Sequence, residues 1–167
     1  NGMAASKPEW TLLIHGGAGV MRRAEMTPEA DAQYRAGLGE ALEAGSKVLA
    51  AGGSSLDAVE AAVRVLEDNP NFNAGKGAVL TREGVAELDA SIMDGRDRKA
   101  GAVAQLRTVK NPIRAARLVL ETTGRVMFAG KDADALAAAG GLDILPPGYF
   151  ITQPRLQAPR PAMAGTL

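Results

Sequence analysis

The chain has 167 residues, 46% of them hydrophobic and 23% charged, which is enough to bury a core and fits one globular domain or most of one. Basic and acidic residues number 19 each, so the net charge is zero and gives no electrostatic reason to expect nucleic acid or an anionic membrane as partner. Zero Cys excludes disulfides, thiolate metal sites and a Cys nucleophile, and leaves both a cytoplasmic and a periplasmic location open.

Residues 1–9 read as an N-terminal extension, a tag remnant or a processed start; they lack the apolar core of a signal sequence. No apolar run approaches the roughly 18–20 residues of a membrane span. Trp10 to Ile14 predicts a short buried strand, closed by the Gly-rich turn His15-Gly16-Gly17-Ala18-Gly19. After Thr27-Pro28, the residues Tyr34, Leu38, Leu42, Gly45, Val48 and Leu49 recur at helical spacing up to Gly52-Gly53. Ser54 with Asp57 predicts a capping box that starts a second helix, with Leu56, Val59, Val63 and Leu66 as its apolar stripe. Asn69-Pro70 ends that helix, because the residue before Pro is pushed out of the helical region.

From Gly77 the period changes to two. Ala78 to Thr81, a turn at Arg82-Glu83-Gly84, and Val85 to Met93 predict a hairpin with Leu88, Ala90 and Ile92 on one face, followed by a strand at Ala100 to Leu106. Asn111-Pro112 opens a third helix through Glu121, with Ile113, Ala116 and Leu120 inward. Val126 to Phe128 reads as a short strand and Lys131 to Ala139 as a short helix. The Pro-rich tail from Pro146 reads as extended or mobile and outside the core. Strands grouped together with helices around them indicate an α+β layered sandwich and not alternating βαβ units.

Three constellations carry candidate chemistry. Successive Gly residues in His15 to Gly19 let N–H groups converge on an anion; the competing reading is a tight turn with His15 satisfied in the core. His15 is the only His, so a His-rich metal centre within the chain is excluded. Leu66 to Lys76 offers main-chain carbonyls to a hard cation, with Phe72 anchoring the loop, and its low charge suits sodium or potassium better than Mg²⁺. A helix C-terminal turn with solvated carbonyls fits the same residues. Glu87 and Asp89 share a strand face as a candidate carboxylate pair, although Arg96, Arg98 and Lys99 lie close by as ion-pair partners.

In order along the chain, WTLLIHGGAG, GGSSLDAVEAAV, LEDNPNFNAGKGAV, ELDASIMDG, KAGAVA and NPIRAARLV resemble the α subunit of the plant-type L-asparaginase and isoaspartyl peptidase family of N-terminal nucleophile hydrolases. The likeness covers about residues 10–150, with 151–167 as a C-terminal linker. It implies an αββα four-layer sandwich completed by a separate β chain, made when the precursor cleaves itself before a Thr, and a dimer of such αβ units. That Thr would be nucleophile through its hydroxyl and base through its own amine, acting on the small molecules L-asparagine and β-aspartyl dipeptides. The likeness places Asn73 beside the nucleophile, the His15 to Gly19 loop beside the scissile bond, and the carbonyls of Leu66, Glu67, Asn69, Phe72, Ala74 and Lys76 around a structural sodium ion. Relatives of glycosylasparaginase or protease type, and a non-catalytic cation-stabilised binding module, are the competing readings. Gly165-Thr166-Leu167 resembles the start of a cleavage junction; either Thr166 is a linker residue, the reading adopted, or the segment belongs to an uncut or truncated precursor.

Overall fold

The computed structural model describes residues 10–19 and 23–158. The readings of residues 1–9 and of Gly165-Thr166 therefore lie outside the described residues.

Helix α1 (Pro28–Ala50) starts where Thr27 accepts the Ala30 N–H on its side chain, with Pro at the first turn. Helix α2 (Ser55–Asp68) starts on the capping box: Asp57 N donates to Ser54 Oγ at 3.1 Å, and the Asp57 carboxylate accepts from Ser54 N at 3.3 Å. Both starts agree with the sequence, and the buried faces agree in part: Gly45 and Leu56 are buried as expected. The α1–α2 contact is made by small residues, with Gly37, Ala41 and Gly45 buried on α1 and Ala58 and Ala62 on α2. A Cβ at Gly45 would stand 3.0 Å from the Ala58 carbonyl and 3.4 Å from the Ala62 methyl, so the backbones meet closely there. That rotation leaves Leu42 and Val59, both expected inward, exposed.

The sheet has the order β1-β2-β3. Strands β1 (Leu88–Met93) and β2 (Ala100–Leu106) pair antiparallel, with an irregularity between Leu88 and Ala90 opposite Gln105, whose φ is 56°. The expected first arm of a hairpin at Ala78 to Thr81 is reduced to one bridge, Leu80 to Ala86. Helix α3 (Pro112–Thr122) then crosses to β3 (Met127–Ala129), which lies parallel to β2. One βαβ unit is thus present where a purely grouped arrangement was expected, because a parallel neighbour needs a crossover helix. Helix α4 (Gly130–Ala139) follows directly. Leu88, Ile92, Val103 and Leu106 from the sheet and Ile113, Ala116 and Val119 from α3 make the core.

The segment after Pro146 departs from expectation. It forms a 3₁₀ turn (Pro147–Phe150) and helix α5 (Gln153–Gln157), and Phe150 is fully buried in the core cluster. The gain from burying an aromatic ring outweighs the Pro-rich composition around it. At the other end, Trp10 to Ile14 forms no strand, its residues alternate between half-buried and exposed, with Leu13 88% exposed, and among the described residues it pairs with no strand. Among the described residues no helix is long and apolar enough to cross a membrane.

Candidate functional site

Phe72 is the hinge of the site. Its ring is buried and packs edge-on against Tyr34 of α1 at 6.0 Å between centroids. A Cβ on Gly37 of α1 would lie 2.7 Å from both the Phe72 ring and Asn69 Nδ2, so α1 has room for this ring only because residue 37 is Gly. On the other side, a Cβ on Gly16 would stand 3.3 Å from the Phe72 ring and 2.8 Å from Leu38. The Gly-rich turn and the Asn-rich loop, more than fifty residues apart in sequence, therefore meet on one ring. His15 is exposed, and its Nδ1 accepts from Gly17 N at 3.2 Å, which replaces the reading of a core histidine with a turn closed by its own side chain.

The loop after α2 is wound tightly on glycines. Asn69 caps α2 with extended dihedrals, its Oδ1 accepting from Asn71 N at 3.0 Å and its carbonyl from Phe72 N at 3.2 Å. Lys76 N returns to the Glu67 carbonyl at 2.7 Å. Gly75 and Gly77 take positive φ, 48° and 131°, and Cβ atoms there would fall 2.4 Å from the Glu67 carbonyl oxygen and 2.5 and 2.7 Å from those of Pro70 and Phe72. The Glu67 carbonyl thus lies against Gly75 and those of Pro70 and Phe72 against Gly77; Pro70 is absent from the set expected from sequence. Among the described residues no group of three or more acidic or His side chains is placed to hold a metal, so an ion in this loop would rest on main-chain oxygens. Neutral main-chain oxygens suit a monovalent cation better than a divalent one.

Asn73 follows Phe72 and is exposed; its Oδ1 accepts from Val79 N at 2.8 Å, and among the described residues its Nδ2 makes no hydrogen bond. Glu67 is only 3% exposed, with Oε1 accepting from Ile113 N at the start of α3 at 2.9 Å. Burial pushes its carboxyl up to about 8, against the pull of the Ile113 N–H and the neighbouring Asn111 amide. Sequence reading took only its carbonyl into account, since nothing local marks a Glu at a helix end as buried.

The candidate carboxylate pair does not act as one. Glu87 is bound by the Arg107 guanidinium, and Asp89 accepts from Gln105 N at 2.9 Å across the β1–β2 irregularity. Asp94 is held to about 2 by Arg96. These groups brace the sheet end and the turn after β1.

Residues 8–163 match the family model for asparaginase. The chain is 47% identical over 146 residues to the isoaspartyl peptidase of Salmonella typhimurium, covering 87% of this chain and 47% of that protein. It is 49% identical over 130 residues to the plant-type L-asparaginase of Pyrococcus abyssi, covering 78% and 41%. To the isoaspartyl peptidase/L-asparaginase of Xenopus laevis it is 44% identical over 142 residues, covering 85% and 44%. The chain spans about half the length of the curated relatives it matches. With its Gly-rich turn and Asn-rich loop meeting at Phe72 and its sequence matched almost from end to end, the chain belongs to the asparaginase family.

Proposed function

We propose that this chain is the α part of an N-terminal threonine hydrolase that cleaves L-asparagine and β-aspartyl dipeptides. The observation that carries the reading is the match to relatives named for these activities along the stretch that holds both site loops. In the reaction, a Thr hydroxyl on a companion β chain attacks the side-chain carbonyl carbon while the Thr amine takes the proton. The amide C–N bond breaks, and ammonia or the peptide's amino group leaves with a proton. Water then cleaves the β-aspartyl ester, releasing aspartate and restoring the hydroxyl.

The part of this chain is placement. Asn73 presents its Nδ2 from a loop pinned by Phe72, and its Oδ1 is already committed to Val79 N, which fixes the amide's orientation. We assign it to the neighbourhood of the Thr amine. The His15 to Gly19 turn, in contact with the same ring through Gly16, would shape the peptide bond that is cut during maturation. A sodium ion held by the carbonyls of Leu66, Glu67, Asn69, Phe72, Ala74 and Lys76 would tie the loop to the end of α2 through neutral oxygens.

A four-layer αββα sandwich with the β chain is supported by two surfaces. Helix α3 covers one face of the sheet, while Ser91, Met93 and Met127 are exposed on the other beside Ala100, Ala102 and Ala104. The second is the unpaired Trp10 to Ile14 segment with its exposed Leu13. Both are edges and faces that a second sheet would cover. A dimer of αβ units is the assembly expected of this reading.

The test is an intact-mass measurement on the full-length expressed protein with assays on asparagine and β-aspartyl dipeptides. Two chains, the second beginning with Thr, together with turnover, are expected. One stable uncut chain without turnover overturns the proposal.

A further inference from the structure

Glu67 and Asp68 close α2, which has no basic residue in its last turn to complement the helix C-terminus. The reason lies outside α2. Helix α3 begins at Asn111, whose side chain makes no cap hydrogen bond to its own helix and instead donates from Nδ2 to Asp68 Oδ1 at 3.1 Å. The cap comes from Glu67, whose Oε1 accepts the Ile113 N–H at 2.9 Å across 46 residues of sequence. The same residue's main-chain carbonyl accepts Lys76 N at 2.7 Å, and the Gly75 backbone passes so close that a Cβ there would fall 2.4 Å from that oxygen. One buried residue thus ties α2, the Asn-rich loop and α3 together, side chain on one helix and carbonyl on the loop.

We propose that the Glu67 side chain is a positioning residue for cation binding: anchored on the α3 N-terminus, it holds its own carbonyl oxygen at the ring formed by residues 66–76. This rests on the reading of that loop as a sodium site. Rotating the Glu67 main chain would draw its carbonyl away from Lys76 N and from the glycine turn, and the side-chain anchor resists that rotation. A residue that merely capped α3 would lower stability equally with and without the ion. A residue that positions a ligand oxygen shifts the ion concentration at which stabilisation appears.

The experiment is a set of thermal melts of the full-length processed protein over a range of sodium chloride, with ionic strength held constant by tetramethylammonium chloride. Wild type, Glu67→Gln, Glu67→Asp and Glu67→Ala are compared. Wild type is expected to gain Tm with sodium. Glu67→Gln keeps an acceptor for Ile113 N, so its sodium midpoint stays within about twofold of wild type. Glu67→Asp, one methylene too short, and Glu67→Ala raise the midpoint about tenfold, the scale of one hydrogen bond. Wild-type midpoints in both Asp and Ala variants, even with lower Tm throughout, overturn the positioning role. A wild-type melt indifferent to sodium overturns the cation reading itself and the proposal with it. Should the Ala variant fail to fold, the contrast between Gln and Asp decides.

Discussion

Arg155 Nε donates to the Gly77 carbonyl at 2.6 Å, joining the short helix α5 to the end of the Asn-rich loop across 78 residues of sequence. The neighbouring contacts act in the same direction. The Lys76 ammonium lies 5.3 Å from the centre of the Tyr149 ring, and Phe150 next to it is fully buried in the core. The segment from Pro146 is therefore a strap over the loop that carries Asn73.

Arg155→Ala removes a charge-assisted donor from a carbonyl and should destabilise the full-length protein by about 1–2 kcal/mol. Urea unfolding reads this directly. Arg155→Lys, with a shorter and differently shaped head, recovers part of the loss. An unchanged urea midpoint in the Ala variant would show that the strap contributes nothing to the loop.

Asn73 offers a cleaner separation of folding from activity. Its Oδ1 bond to Val79 N sits on exposed residues, so water can replace it and Asn73→Ala should cost under about 1 kcal/mol. If the amide positions the Thr amine, β-aspartyl dipeptide hydrolysis falls on the order of 10²-fold. Asn73→Asp keeps the acceptor for Val79 N and loses the N–H donors, so it should melt like wild type and hydrolyse like the Ala variant. Steady-state assays with melting curves on the same preparations check both, and near wild-type turnover in either variant removes Asn73 from the site.

What the sequence revealed and what it hid follow from the range of the interactions involved. Thr27 with Ala30 and Ser54 with Asp57 are contacts over three residues, and both helix starts were legible from them. Alternation placed Leu88 and Ile92 on the buried face of β1. Leu42 and Val59 misled because hydrophobicity ranks Leu and Val above Gly and Ala, whereas the α1–α2 contact selects small residues for close approach. The meeting of Gly16 with Phe72, the cap from Glu67 to α3 and the burial of Phe150 are long-range. No local pattern encodes them; only the ordered family likeness hinted that the two loops share a site.

Gly101 marks the tightest approach of the sheet to α3. A Cβ there would lie 2.1 Å from the Ala116 carbonyl oxygen and 2.5 Å from Leu120 N, both backbone atoms that cannot swing aside. Gly101→Ala must push β2 off the helix and should cost about 3 kcal/mol or more, seen as loss of soluble yield or a large drop in urea midpoint. Gly95→Ala, in the turn after β1 with nothing within 4 Å of its Cβ, is the neutral control. Equal stability of the two variants would contradict the packing described for β2.

Asp57 joins two helices and gives a stability term with a defined pH sign. Its Oδ2 accepts from Ser54 Oγ at 2.6 Å and its Oδ1 meets Arg117 of α3 at 2.7 Å. The Ser54 hydroxyl first, and Arg117 after it, hold its carboxyl at about 2, below the ordinary 3.8. A depressed carboxyl pKa contributes stability above the unfolded value and loses it as pH falls through the folded one, here between about 4 and 2. The side chain is 45% exposed, so solvent screening limits the contribution to about 1 kcal/mol. Asp57→Asn should therefore be less stable than wild type by about that much at pH 5 to 7, and the difference should shrink as pH falls below 4. Urea unfolding of both proteins across this range is the check; a difference that stays constant down to the lowest measurable pH would mean that the carboxylate charge plays no part in holding α2 to α3.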